Sequence, residues 1–326
     1  MNLMDTLELA KFDPQFAADV LEGLSRPQKT IPCTWLYDRR GSEIFVEITD
    51  LQEYYPTRSE IAILKRSVAE IAAHIAPHAT VVEFGSGSSF KTPLLLGALK
   101  QPHAYVPIDI SAEFLHDSLV PLRAQFPKVR FAPLVLDFSK LDAIREVRHA
   151  LPPASTGPRV GFFPGSTIGN FTPAEATVFL RRVADALGPG ALMVIGVDST
   201  TDAQLLIPAY DDARGVTAAF NLNLLARVNR ELGGNFHLED FQHEARYNAR
   251  EGRVEMHLVS RCGQDVEVQD RAFSFSAGET IHTENSYKYG GARFAQLAAA
   301  AGWEEIGKWM GTGNDFGVHL LRSAAP

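Results

Sequence analysis

Cysteine is nearly absent from this chain: Cys33 and Cys262 are the only two in 326 residues, far apart and outside any C-x-x-C pattern. That argues against a disulfide-stapled scaffold and a thiolate zinc site, and leaves two reduced, structural thiols as the expectation. An uninterrupted apolar run of the ~18 residues that a membrane helix requires is also missing. The longest strand-like stretch is Ala191 to Val197. Basic residues are in deficit, with 31 Lys and Arg against 39 Asp and Glu and a net charge of −8, so the chain lacks the footprint of a general nucleic-acid or anionic-membrane binder. Met1 to Phe16 mixes Asp5, Glu8, Lys11 and Asp13 into its apolar residues, without the basic-then-apolar order of a signal peptide. There is no internal repeat, low-complexity tract or long like-charge block. These absences lead to the expectation of a cytoplasmic protein without a membrane or nucleic-acid partner, and with a monomer as the default. At 45% hydrophobic and 21% charged residues, its length suits one large domain or two of moderate size.

What is present centres on Val81-Val82-Glu83-Phe84-Gly85-Ser86-Gly87-Ser88-Ser89-Phe90-Lys91-Thr92, followed by the apolar run Pro93 to Leu99. The pattern predicts a short buried strand, a glycine turn and a helix. Gly85 and Gly87 lack a Cβ, which lets the backbone turn tightly and a ligand approach, while the N–H groups opening the helix face a polar ligand group. A dinucleotide fingerprint would place a third glycine at position 90, where Phe90 stands. Glu83 on the last turn of the strand suits instead the acidic-x-Gly-x-Gly turn with which S-adenosylmethionine (SAM) methyltransferases hold the amino-acid end of their cofactor. By itself this stretch equally describes a tight strand-to-helix turn of any α/β protein.

From Thr80 onward strand and helix alternate, the pattern of a mostly parallel sheet, with strands expected at 80–84, 104–108, 131–136, 159–163 and 191–197. Asp109 ends the second strand, 22 positions beyond Gly87, where an acid reaches a ribose hydroxyl in nucleotide sites. Asp137 ends the third, where its carboxylate can accept from an adenine amino group and Phe138 can stack. Each acid alone also reads as a helix cap or solvated loop residue. Glu83, Asp109 and Asp137 at matching strand ends point to the carboxyl edge, where open α/β sheets bind ligands. The loop Pro164-Gly165-Ser166-Thr167-Ile168-Gly169-Asn170-Phe171 is too apolar and glycine-rich for an idle connection, although Asn170 also suits a plain left-handed turn position. Thr172-Pro173-Ala174-Glu175 opens the next helix with cap, first-turn proline and N3 glutamate in place.

The flanking regions break the alternation. Residues 1–56 hold helical patches, and Tyr37-Asp38-Arg39-Arg40-Gly41-Ser42 reads as a turn with Ser42 as N-cap. Thr57 and Glu60 read as a capping box opening a helix to about Ala76. After Asp198, residues 203–231 look helical and 241–283 alternate in strand fashion. A helix at 291–301 then precedes an antiparallel pair, Trp303 to Trp309 and Phe316 to Leu321, an ending typical of SAM methyltransferases. The expected fold is thus α/β: a Rossmann-like SAM-dependent methyltransferase sheet with a second, smaller α+β substrate-binding domain. The expected division is 57–200 with 286–326 for the cofactor, and 1–56 with 201–285 for the substrate.

Several pieces together resemble the histidine-specific Nα-methyltransferases that make hercynine in ergothioneine biosynthesis. They are Tyr37-Asp38-Arg39-Arg40-Gly41-Ser42, Glu53-Tyr54-Tyr55-Pro56-Thr57-Arg58, Phe84 to Thr92, Pro164 to Phe171, Ala209-Tyr210-Asp211-Asp212 and Ile281-His282-Thr283-Glu284-Asn285-Ser286. The resemblance implies SAM as co-substrate, without a metal, held by Gly85, Lys91, Asp109, Asp137 and Phe138. It implies that Tyr54, Asn170 and Tyr210 hold the substrate's α-amino and carboxylate groups, and that Tyr37, Glu284 and Ser286 contact its imidazole with Met256 nearby. Tyr54 is the candidate to orient the amine and relay its proton. Ser89-Phe90 and a long 139–160 segment depart from the pattern. Alternatives are Nα-methylation of another aromatic amine such as tryptophan, a nicotinamide-dependent dehydrogenase, and a non-catalytic SAM sensor.

Overall fold

The computed structural model describes residues 13–140, 143–151, 157–313 and 315–324. The expectation about a signal peptide therefore lies mostly outside the described residues, as does part of the long 139–160 segment. The chain forms two compact units. One comprises the segment up to Leu51 with Ile207–Asn248 and Val254–Asn285; the other comprises Gln52–Leu206, Ala249–Arg253 and the chain from Ser286 onward.

The first unit is α+β. Its four-stranded sheet runs in the order Lys29–Thr30, Thr280–Tyr287, Arg253–Ser260, Phe241–Asn248, and the opening pair is parallel, with Lys29 beside Ile281. A separate antiparallel pair joins Gln264–Val268 to Arg271–Phe275. The helical stretch expected at 203–231 is two helices, Ala203–Tyr210 and Val216–Leu232. Asp212 ends the break between them by accepting from the N–H groups of Val216 and Thr217. Ser42 is not an N-cap. Helix Arg39–Thr49 is capped by Asp38, whose carboxylate accepts from Gly41 N at 2.7 Å, and Ser42 is buried within the helix. Gly41 is required there because a Cβ would stand 1.8 Å from the Leu36 carbonyl oxygen.

The second unit is built on a sheet with the order Trp303–Met310, Phe316–Ser323, Leu192–Asp198, Arg159–Phe163, Thr80–Phe84, Ala104–Asp109, Arg130–Phe131. Strands from Leu192–Asp198 through Arg130–Phe131 are parallel. Phe316–Ser323 is antiparallel to Leu192–Asp198, and Trp303–Met310 is antiparallel to Phe316–Ser323. This is a Rossmann-like, mostly parallel sheet with the antiparallel closing pair that the sequence pattern predicts. Helices cover both faces, so the central strands are mostly apolar, and Thr80–Phe84 and Leu192–Asp198 are buried along their whole length. Val82, Phe84 and Ile195 lie in one apolar cluster, and Val81, Phe162 and Val194 in the other.

Two local expectations fail. The single strand at 131–136 is two short pieces, Arg130–Phe131 and Leu134–Val135, each paired with Ala104–Asp109. Pro133 lies between them and has no N–H for the ladder. The capping box at Thr57 does not form. The helix is Tyr55–Ala73, Tyr54 is its N-cap, and no side chain caps it. Glu60 turns inward and is 1% exposed. At Thr172 the box is complete, with both reciprocal bonds in place. Among the described residues no helix is long and apolar enough to cross a membrane.

The chain runs outward from Thr80–Phe84 through Ala104–Asp109, then returns to the other side at Arg159–Phe163. That reversal places the glycine turn and the loop after Phe163 at the switch point, beyond the carboxyl ends of the strands, where open α/β sheets bind ligands.

Candidate functional site

At the switch point the glycine turn is folded by its own backbone. Gly85 and Ser86 donate to the Ile108 carbonyl at 2.9 and 3.0 Å, and Ser89 N donates to Ser86 O at 2.7 Å. Gly85, Gly87 and Ser89 all have positive φ (69°, 49° and 52°). A Cβ at Gly85 would touch the Phe138 ring at 3.4 Å, whereas one at Gly87 would meet no atom within 4 Å. Glycine is therefore used at one position for close packing and at the other for an open approach. Asp109 holds this turn to the next strand: its carboxylate accepts from Gly87 N at 2.8 Å and from Ser111 N at 3.0 Å. Burial raises its pKa above the usual carboxylate value, against the pull of those backbone bonds. Asp137 caps its own turn through Ser139 N and Oγ, at 3.0 and 2.5 Å. Phe138 packs edge-on against Phe84 and Phe163, which fixes the ring over Gly85.

Lys91 is tied to the next loop by Glu60, a residue whose role the sequence reading missed. Glu60 Oε2 accepts from Lys91 Nζ at 2.5 Å and from Gly165 N at 2.8 Å. The loop adopts its left-handed positions at Gly165 (φ 81°) and Ser166 (φ 60°), and Asn170 ends the short 3₁₀ turn Thr167–Asn170. The simple αL reading of Asn170 is thereby set aside. Gly169 is forced by close packing, since a Cβ would stand 2.7 Å from Tyr287 O.

Glu83 does not reach the ligand edge. Its carboxylate is enclosed in the core, accepting from Tyr105 Oη at 2.5 Å and Thr92 Oγ1 at 2.7 Å. Burial dominates and pushes its pKa from 4.5 up to about 7, partly offset by those two bonds and by Lys91.

A second buried charge pair lies at the end of Leu192–Asp198. Asp198 Oδ2 accepts from Lys288 Nζ and from Tyr55 Oη, both at 2.6 Å, and both charged side chains are fully buried. Lys288 also donates to Ser286 Oγ at 3.0 Å. An ammonium only donates, so Ser286 is the acceptor in that bond and its hydroxyl hydrogen is turned elsewhere. Tyr54, at the head of the same helix as Tyr55, is 7% exposed.

Tyr37, Tyr210, Met256 and Glu284 belong to the first unit, whereas Ser286 opens the last segment of the second. Tyr37 is wedged edge-on against Phe220 and Phe45, with ring centroids 5.4 and 5.6 Å away. Tyr210 ends its helix with its carbonyl 2.7 Å from His243 Nε2, and Asn221 lies 2.9 Å from the other ring nitrogen. Met256 and Glu284 occupy neighbouring strands, and Thr283 Oγ1 donates to Met256 O at 3.1 Å. Glu284 and Ser286, two apart on Thr280–Tyr287, share a strand face and are 9% and 5% exposed. Nearby, His257 stacks on His282, and burial together with that neighbour lowers its pKa to about 4. Cys33 and Cys262 are thiols, not a disulfide.

SAM fits the second unit on its own chemistry. Among the described residues Ser86 Oγ and Glu60 Oε1 are buried polar atoms without a hydrogen-bond partner, and Ser86 lies in the turn whose Gly87 stands open. Such orphaned groups beside an open glycine turn suit a ligand with both an ammonium and a carboxylate.

Comparison with known proteins follows the same line. The family model for histidine-specific, SAM-dependent methyltransferases matches residues 16–323. A histidine N-alpha-methyltransferase of Mycolicibacterium smegmatis is 41% identical over 307 residues, 93% of each chain. One of Mycobacterium tuberculosis is 40% identical over the same shares of the two chains. Ergothioneine biosynthesis protein 1 of Neurospora crassa is 33% identical over 304 residues, which is 90% of this chain and 33% of that one.

Proposed function

The chain belongs to the family of SAM-dependent, histidine-specific methyltransferases, and we propose that it trimethylates the α-amino nitrogen of L-histidine to hercynine, a step of ergothioneine biosynthesis. The observation that carries this reading is Glu284-x-Ser286, a carboxylate and a hydroxyl on one buried strand face in a chain so similar to histidine N-alpha-methyltransferases. Such a pair matches the two nitrogens of an imidazole, one as hydrogen donor and one as acceptor. Tyr37 and Met256 complete that recognition.

The cofactor is assigned to residues 57–200 with 286–326, through Gly85, Lys91, Asp109, Asp137 and Phe138, and the substrate chiefly to residues 1–56 with 201–285. When bound, SAM supplies an electrophilic sulfonium methyl group, which leaves the protein to provide position and a deprotonated amine. Asn170 and Tyr210 hold the amino acid's carboxylate and amine, so the nitrogen lone pair is directed. Tyr54 accepts a hydrogen bond from the amine and passes its proton towards solvent before each methylation. A cytoplasmic location is proposed from Cys33 and Cys262, which form no disulfide with each other, and a monomer is proposed as the default.

A nicotinamide dehydrogenase is set aside by the family match. Tryptophan offers only a donor at its indole nitrogen, leaving one member of the Glu284 and Ser286 pair unmatched. The experiment is calorimetry on Glu284→Ala with histidine and, separately, with S-adenosylhomocysteine (SAH). Histidine affinity should fall by roughly 10- to 100-fold while SAH affinity is retained. Equal loss of both ligands would contradict the assignment.

A further inference from the structure

Glu60 is placed as no helix cap is. Its carboxylate is 1% exposed, one oxygen is shared between the Lys91 ammonium and the Gly165 peptide N–H, and the other has no partner among the described residues. The unpartnered oxygen lies against Leu192–Asp198 at Gly196, where a Cβ would stand 2.1 Å from it. A glycine in mid-strand thus makes room for a charged group that the core would otherwise exclude. Burying a carboxylate with half its hydrogen-bonding capacity unmet is costly, and a purely structural residue would be better served by an amide or an apolar side chain.

Its position explains the cost. Glu60 joins Lys91, which opens the helix after the glycine turn, to Gly165, which opens the loop ending at Asn170. It also belongs to the helix that begins after Tyr54. We propose that Glu60 is a positioning residue that locks the cofactor-side lysine to the substrate-side loop, so that cofactor and amino acid bind more tightly together than apart. This rests on the reading of Lys91 as a cofactor contact and Asn170 as a substrate contact. The coupling is reciprocal: whatever factor SAH adds to histidine affinity, histidine adds to SAH affinity. The neighbouring Glu83, whose pKa burial raises to about 7, is partly protonated near neutral pH, which lessens the negative charge the cluster carries beside one lysine.

The test is a double-mutant cycle on SAH affinity with wild type, Glu60→Gln, Lys91→Met and the double variant, read by calorimetry, with histidine titrations in the presence and absence of SAH. Glu60→Gln should weaken SAH by roughly tenfold or more and bring the SAH–histidine coupling factor towards one. It should raise KM for SAM more than it lowers kcat, and it should add little in the Lys91→Met background. Glu60→Asp, which keeps the charge but shortens the reach to Gly165, serves if the glutamine variant does not fold, and should retain more SAH affinity than histidine coupling. Wild-type SAH affinity in Glu60→Gln, or full additivity with Lys91→Met, would overturn the proposal. The SAH arm uses no histidine, so it stands even if the substrate proves to be another amino acid.

Discussion

Two buried lysine–carboxylate pairs lie in the same unit and differ in how completely they are satisfied. Lys288 and Asp198 are wholly buried, and every available oxygen is used: Tyr55 and Lys288 reach Oδ2, and Thr200 N reaches Oδ1 at 3.2 Å. Lys91 and Glu60 are similarly close, but the lysine side chain keeps 14% exposure and Glu60 Oε1 has no partner among the described residues. The closed pair is framework, cross-linking the end of Leu192–Asp198 to Tyr55 and Ser286. The half-satisfied pair sits where a ligand's own charges enter. Incomplete hydrogen bonding inside a well-packed core thus marks function better than burial or charge does.

Breaking the closed pair should have the largest effect. Lys288→Met leaves Asp198 buried and uncompensated, so chemical denaturation should show a loss of about 3–5 kcal/mol. A loss within experimental error would mean that the pair is not the framework described. Glu83, beside the half-satisfied pair, sharpens the contrast through pH. Between pH 4.5 and about 7 the folded chain holds a proton at Glu83 that the unfolded chain releases, so its contribution to stability falls as pH rises through that window. Glu83→Gln keeps the acceptor without the charge and should be more stable than wild type above pH 7 by on the order of 3 kcal/mol, with the advantage vanishing below pH 4.5. Parallel stability curves for the two proteins would refute the raised pKa. The smallest effects separate adjacent tyrosines. Tyr55→Phe should lower stability by roughly 1–2 kcal/mol through the lost bond to Asp198, while Tyr54→Phe should leave stability intact and slow turnover by up to about tenfold. Equal turnover by wild type and Tyr54→Phe across all three methylations would remove Tyr54 from the chemistry.

Local features of this molecule were legible in the sequence. The alternation from Thr80 onward, the glycine turn and the capping box at Thr172 depend on residues a few positions apart, and each forms as the pattern predicts. What escaped depends on long-range partners. Glu60 sits three residues after Thr57 and so reads as a cap, yet its partners lie 31 and 105 positions away. Lys288 resembles any surface lysine until folding brings Asp198, 90 positions distant, within 2.6 Å. Glu83 was read at the ligand edge because strand-end acids often are. In a parallel strand covered on both faces, its side chain follows Val81 into the helix-covered core and is met by Tyr105 and Thr92. Pro133 was visible in the sequence, and its missing N–H accounts for the interruption of the third strand.

The central claim is the reaction itself, and the most direct measurement is mass spectrometry of purified protein incubated with SAM and an equimolar panel of histidine, its mono- and dimethyl forms, tryptophan, phenylalanine and tyrosine. The account predicts a gain of three methyl groups on the α-nitrogen of histidine, with both partly methylated forms carried to the same product and the other amino acids unchanged. Methylation of the imidazole ring, transfer to another amino acid, or no transfer to histidine would contradict it.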